Sequence, residues 1–291
     1  MILTKFLALV ALGCLFQSSH VMAFPKIGRV IDVHEDSLEK RAHAYDFRGI
    51  VALSNCSGSI VRFDDSLDTD QAMVLTNGHC ISMITPGVAL PEQVVSRSFS
   101  VLNKTGRKVG RVNAERLLYG AMTKTDMGLY RLKETYQDIQ ASFNVSALTL
   151  SREAPAVDAP IEVISGYWVR GYSCAIESIV PTLEEGDWYF QDSLRYSRPG
   201  CAVIGGTSGS PVLAAGTRTV VAVNNTINES GAKCEENNPC EIAADGTVFA
   251  AKGYAYAQNT FWLYSCRNAA GLFDVKADSC GLLKPGAARS H

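Results

Sequence analysis

Short runs rich in β-branched and aromatic residues recur along the chain, separated by clusters of Gly, Asp, Asn and Pro. Such runs read as strands and the clusters between them as turns. The pattern predicts strands over residues 48–53, 59–63, 72–76, 94–102, 127–132, 161–165, 212–213, 219–223 and 248–251, with helix only around 258–264. An all-β sandwich or barrel follows from many short strands with regular turn signals. The polar stretch 138–159, which leads through Ala154-Pro155-Ala156-Val157-Asp158-Ala159 into Pro160, reads as a crossing between two halves. No internal repeat or low-complexity tract interrupts the pattern.

The N-terminus has a different character. Lys5 precedes the apolar run Phe6 to Phe16, and a polar stretch then ends in Val21-Met22-Ala23. This is the layout of a secretory leader, here expected over residues 1–23 with cleavage after Ala23. The run is too short to cross a bilayer, and no later segment is long and apolar enough, so no membrane span is expected in the mature chain. Residues 24–46 then form a short N-terminal segment or propeptide, too short for a folded prodomain, with Lys40-Arg41 as its candidate processing site. Export to a secreted or periplasmic location is the expectation.

Removing the leader removes Cys14 and leaves eight of the nine cysteines. An even number in an exported chain argues for disulfides, although eight cysteines allow 105 pairings. Proximity along the chain suggests Cys174 with Cys201, Cys234 with Cys240 and Cys266 with Cys280. Zinc ligation by Cys234 and Cys240 lacks two further ligands nearby. The acidic loop of Asp64, Asp65, Asp68 and Asp70 reads as solvated, since it lacks the spacing of a calcium loop. A formal net charge of −2 carries no electrostatic footprint for nucleic acid. No cofactor or metal is expected, and the chain is expected to be a monomer.

Three strings carry chemistry. His79 lies in Thr76-Asn77-Gly78-His79-Cys80, Asp126 in Thr125-Asp126-Met127-Gly128-Leu129, and Ser208 in Gly205-Gly206-Thr207-Ser208-Gly209-Ser210-Pro211. A serine hydroxyl is a weak nucleophile at neutral pH; it needs a base to take its proton and a buried carboxylate to hold that base in one tautomer. The three residues follow in the order His, Asp, Ser at separations of 47 and 82, which sets them apart from the subtilisin and α/β-hydrolase orders. A Gly-x-Ser-x-Gly elbow is excluded at Ser208, because Ser210 stands where the last glycine belongs. Of the histidines after the leader, His34, His43 and His291 lie before the first strand or at the last residue, leaving His79 for the site.

These strings resemble the signatures of the chymotrypsin-like (trypsin-like) serine proteases, and Gly-Thr-Ser-Gly-Ser-Pro is similar to the bacterial branch that includes the glutamyl endopeptidases. Gly49 to Leu53 and Cys56-Ser57-Gly58-Ser59 extend the likeness, which spans about 47–265 and is weak over 131–200. The resemblance implies two six-stranded antiparallel β-barrels, about 47–140 and 158–265, with the active site between them and a short C-terminal appendage, helical and disulfide-closed, over 266–291. It implies His79 as general base, Asp126 as its orienting carboxylate, Ser208 as nucleophile, and the backbone N–H groups of Gly206 and Ser208 as oxyanion hole. It also implies a Cys56–Cys80 disulfide.

The departures are informative. Thr207 stands where the zymogen-activated animal branch carries an aspartate, so activation through that ion pair is not available. Ala202 occupies the position of the trypsin pocket aspartate, and Asn224, Asn225 and Gly253 complete the expected specificity pocket. The function that follows is a secreted serine endopeptidase acting on polypeptides through an acyl-enzyme. The alternatives are a catalytically silent binding protein on the same fold and a latent zymogen with a collapsed oxyanion hole.

Overall fold

The computed structural model describes residues 45–286. The expected leader, the segment before Tyr45 with its Lys40-Arg41 site, and His291 lie outside the described residues.

Strands β1 (Ile50–Ala52), β2 (Ser57–Arg62), β3 (Gln71–Thr76), β4 (Ala89–Leu90), β5 (Gln93–Leu102), β6 (Lys108–Ala121) and β7 (Met127–Thr135) build the first half. Antiparallel pairing runs β1-β2-β3-β7-β6-β5 and returns to β1, closing a six-stranded barrel, while β4 pairs with β6 outside the ring. Strand β6, absent from the sequence expectation, hides because Arg111, Asn113 and Glu115 alternate with buried Val112 and Ala114. One face is wet and the other dry, so the apolar content of the stretch is low.

The crossing is more ordered than its composition suggests. Helix α1 (Tyr136–Phe143) starts at Thr135, whose hydroxyl accepts from the Asp138 N–H while the Asp138 carboxylate accepts from the Thr135 N–H, a reciprocal capping box. Strand β8 (Leu148–Leu150) then lies parallel to β2 on one side.

The second half contains β9 (Pro160–Ser165), β10 (Arg170–Glu185), β11 (Trp188–Tyr196), β12 (Pro211–Ala214), β13 (Thr219–Ile227), β14 (Cys240–Ile242), β15 (Val248–Phe249) and β16 (Ala255–Asn259). Pairing runs β9-β10-β11-β16-β13-β12 and back to β9, closing a second antiparallel six-stranded barrel. Strand β13 also takes β8 in parallel, so the crossing strand zips the two barrels together. The expected helix around 258–264 is displaced: Gln258 and Asn259 still pair with β13, and α2 (Trp262–Ser265) begins only after them.

Each barrel has its own apolar interior, around Val74, Phe99 and Val112 in the first and Val163, Ile176 and Val212 in the second. A third cluster, with Leu75, Leu129, Ile164 and Val223, joins the barrels and takes in Leu263, Cys266 and Leu282 of the C-terminal segment. The acidic loop between β2 and β3 is spent on ion pairs: Asp64 with Arg152, Asp65 with Arg267 and Asp68 with Arg62. Disulfides join Cys56 to Cys80, Cys174 to Cys201, Cys234 to Cys240 and Cys266 to Cys280. Cys234 and Cys240 therefore have no thiolate to offer zinc.

Candidate active site

His79 stands on the turn that leaves β3, and the Cys56–Cys80 bridge ties its neighbour to the start of β2. Gly78 precedes it because there is no room for more: a Cβ there would run into the carbonyl oxygen of Ala121. This close approach brings the turn against Asp126, the residue before β7. Asp126 is 1% exposed. One of its carboxylate oxygens accepts from the His79 backbone N–H at 3.0 Å and the other faces the imidazole Nδ1 at 2.5 Å. Asn77 donates to the Asp126 carbonyl oxygen, completing the grip.

Burial of the ring opposes the charged form of His79. The charge of Asp126, its hydrogen bond and the charge of Glu185 outweigh it, so the imidazole pKa lies above its ordinary value. The loop carrying Asp126 is also stitched to the other barrel. Lys124 donates its N–H to the Tyr189 carbonyl and accepts from the Gln191 N–H, both at 2.9 Å.

Ser208 comes from the loop before β12, and its carbonyl oxygen accepts from the Ser57 N–H at 2.8 Å, again across the two barrels. Its hydroxyl donates to the carbonyl oxygen of Asn225 at 3.1 Å rather than to the imidazole. Ahead of it, the Thr207 N–H reaches back to the Ile204 carbonyl, closing a turn over Gly205-Gly206. Gly206 sits at φ +85°, the third-position conformation of a type II turn that glycine adopts without strain. Trp168, on the turn between β9 and β10, donates its indole N–H to the Gly205 carbonyl at 2.7 Å, and the Ser57 hydroxyl donates to the Gly206 carbonyl at 3.2 Å. Both carbonyls flanking Gly206 are thus held. Among the described residues, neither the Gly206 nor the Ser208 N–H has an acceptor.

His79, Asp126 and Ser208 line one cleft of about 220 Å³, together with Asn224, Asn225 and Glu185. Ala202 and Gly253 do not line it: Ala202 is exposed, and Gly253 lies beside the guanidinium of Arg198. Asn224 is engaged elsewhere, accepting from the Tyr196 hydroxyl at 3.0 Å. Asn225 is 2% exposed, and its side-chain nitrogen has no acceptor. It does not support Asp126.

Three contributors escape a reading of the sequence. Trp168 falls in the stretch of weak likeness. Ser57 looks like one more strand serine. Glu185 sits in Glu184-Glu185-Gly186-Asp187, which reads as a solvated hairpin tip. In the structure one Glu185 oxygen accepts from the Thr226 hydroxyl and the Asn237 N–H, each at 2.9 Å, and burial pushes the carboxyl up to about 7. The structure also groups Cys56, His79 and Cys80, and Glu184, Cys234 and Cys240, as neighbouring metal-type donors, but these cysteines are disulfide-bonded.

Two closed antiparallel barrels, with a His–Asp pair from one and a serine in a Gly-Thr-Ser-Gly turn from the other, are a serine protease fold. Residues 56–223 match the trypsin-like peptidase domain, and the chain belongs to that family. Among solved structures, the chain is similar to the protease domain of MamO from Magnetospirillum magneticum in its apo form. The two are 13% identical over 74% of this chain and 93% of that one, with a TM-score of 0.44. Thermobifida fusca Protease A is 17% identical, with coverage of 74% and 90% and a TM-score of 0.41. A glutamic acid specific serine protease that utilizes a histidine triad in substrate binding is 17% identical, with coverage of 74% and 92% and a TM-score of 0.40. No curated protein matches the sequence.

Proposed function

We propose that the chain is an exported serine endopeptidase, with residues 47–265 as its protease domain and 266–291 as an appendage. The carrying observation is that His79, paired through Nδ1 with buried Asp126, opens onto the same cleft as Ser208. In this reading Ser208 Oγ forms a bond to the scissile carbonyl carbon as its proton passes to His79 Nε2. The free N–H groups of Gly206 and Ser208 receive the oxyanion. The protonated imidazole then gives its proton to the leaving amine as the C–N bond breaks, leaving an ester on Ser208. Water, deprotonated by the same imidazole, releases the peptide acid and restores the hydroxyl.

The Ser208 hydroxyl must first leave the Asn225 carbonyl, a rotation about one side-chain bond; serine–base hydrogen bonds are often loose before substrate binds. Among the described residues neither the Gly206 nor the Ser208 N–H is taken by an internal acceptor, which speaks against a collapsed latent form. Four disulfides suit an oxidising compartment and so support export. The second reading, a catalytically silent binding protein, draws on the hydroxyl's bond to Asn225 in place of the imidazole.

A fluorophosphonate reagent separates the two. The expected result is an adduct on Ser208 by peptide mass spectrometry, lost in His79→Ala and Ser208→Ala. An unlabelled wild-type protein, or equal labelling in His79→Ala, overturns the peptidase reading.

A further inference from the structure

Resting on the peptidase reading, we propose that Glu185 makes the cleft selective for a peptide carrying a lysine or arginine side chain beside the scissile bond. The family position for such a charge is not the source, because Ala202 is uncharged and outside the cleft. The charge comes instead from the end of β10.

The cleft is lined by four carboxylates, Asp126, Glu185, Glu229 and Glu236, and by no lysine or arginine. Asp126 is already matched by His79. At Glu185 one oxygen takes both hydrogen bonds, from Thr226 and Asn237, and the other has no partner among the described residues. Burial makes the half-buried Glu185 carboxylate unfavourable when ionised, and a cation placed against its unpartnered oxygen lessens that penalty. An acidic substrate side chain would meet like charge, which counts against glutamyl specificity here.

The rest of the cleft suits the same occupant. Met122 and the indole of Trp188, the latter fixed by a 2.8 Å bond to the Ile84 carbonyl, provide apolar wall for the methylene stem of a long basic side chain. Asn225 also lines the cleft, and its buried side-chain nitrogen lacks an acceptor; an occupant that brought a carbonyl within its reach would remove the cost of that unpaired donor.

The groups facing Glu185 are His79, Asp126, Thr226 and Asn237, with Glu229 and Glu236 on the cleft wall. As pH falls through about 7 Glu185 takes up its proton, and acidification also makes His79 cationic, the more readily because Asp126 and Glu185 hold its pKa above the ordinary value. Both changes weaken cation binding, so affinity for a basic group should rise from pH 6 to pH 8.

Two measurements test this. Calorimetry with agmatine, a bare guanidinium probe, is expected to show binding by the wild type and by Ser208→Ala. That binding should be tighter at pH 8 than at pH 6 and at least about tenfold weaker in Glu185→Gln. Paired fluorogenic peptides that differ only in arginine against neutral, isosteric citrulline should give a kcat/KM ratio above about ten in the wild type, collapsing toward one in Glu185→Gln. Thermal melting checks that the variant folds, and the wild-type ratio needs no variant. Agmatine binding that is absent, or equal in wild type and Glu185→Gln, overturns the proposal; so does an arginine peptide cut no better than its citrulline twin. Loss of all hydrolysis together with an unlabelled Ser208 would instead be the failure of the peptidase reading, with agmatine still deciding the cation site.

Discussion

The indole nitrogen of Trp168 donates a 2.7 Å hydrogen bond to the carbonyl oxygen of Gly205. That carbonyl belongs to the same planar peptide unit as the Gly206 N–H, so holding the oxygen also fixes the direction of the N–H. Type I and type II turns differ by a flip of this central peptide unit. With Thr207 where the zymogen-activated animal branch carries an ion-pairing aspartate, Trp168 holds this unit, and Ser57 holds the next one through the Gly206 carbonyl. Trp168→Phe keeps the ring and loses the donor. The expectation is a kcat lowered about 10- to 100-fold with KM within about threefold, short of the loss for deleting a whole oxyanion donor. Steady-state kinetics check this, and an unchanged kcat removes Trp168 from the positioning machinery.

The pH dependence of kcat/KM should report His79. Its folded pKa lies above the ordinary 6.5 because Asp126 and Glu185 favour the imidazolium more than burial opposes it. The neutral base is therefore gained only above that raised value, and the ascending limb should have its midpoint above 6.5. Glu185→Gln removes one of the favouring charges and should move the midpoint down. A limb at or below the ordinary value in the wild type would contradict the electrostatic account.

Glu185 should also shape stability. Its carboxyl is raised from 4.5 to about 7, so the folded state holds that proton more tightly than the unfolded chain. The resulting stabilisation is complete below the unfolded value and is lost as pH rises through the folded one. Relative to the protonated form, ionised Glu185 costs at most about 3 kcal/mol by pH 8. Glu185→Gln is expected to unfold at higher denaturant than wild type at pH 8, with little difference at pH 5. Urea titrations at the two pH values supply the test, and an equal offset at both would mean that titration is not the cause.

The Cys56–Cys80 bridge closes a loop with a sequence separation of 24 and holds the residue next to His79. Replacing both cysteines with alanine should lower stability by about 3 kcal/mol on the chain-entropy account. Fluorophosphonate labelling of Ser208 should slow even at temperatures where the variant stays folded, because the His79 turn is then anchored through fewer contacts. Labelling at the wild-type rate in the folded variant would reduce the bridge to a purely stabilising role.

Much of this arrangement is local chemistry and could be read along the chain. Thr76 to Cys80, Thr125 to Leu129 and Gly205 to Pro211 each combine a turn, a reactive side chain and an adjoining strand within a few residues. Strands β2 and β3, and the stretches 127–132 of β7 and 219–223 of β13, announce themselves because nearly every residue in them is buried. Strand β6 and the long β10 do not, since one face of each meets water and dilutes the apolar signal.

Distances between remote side chains have no such local signature. That Ser208 rests on Asn225, that Trp168 holds Gly205, and that Glu185 leaves a hairpin tip to enter the cleft all depend on how two barrels close and dock. The choice of one disulfide set out of 105 pairings is of the same kind. Propensity and turn chemistry act over neighbouring residues and are written in order along the chain. Burial, field and hydrogen-bond satisfaction arise only when barrel closure brings residues more than a hundred positions apart into contact, as the bond from Ser57 to Gly206 does.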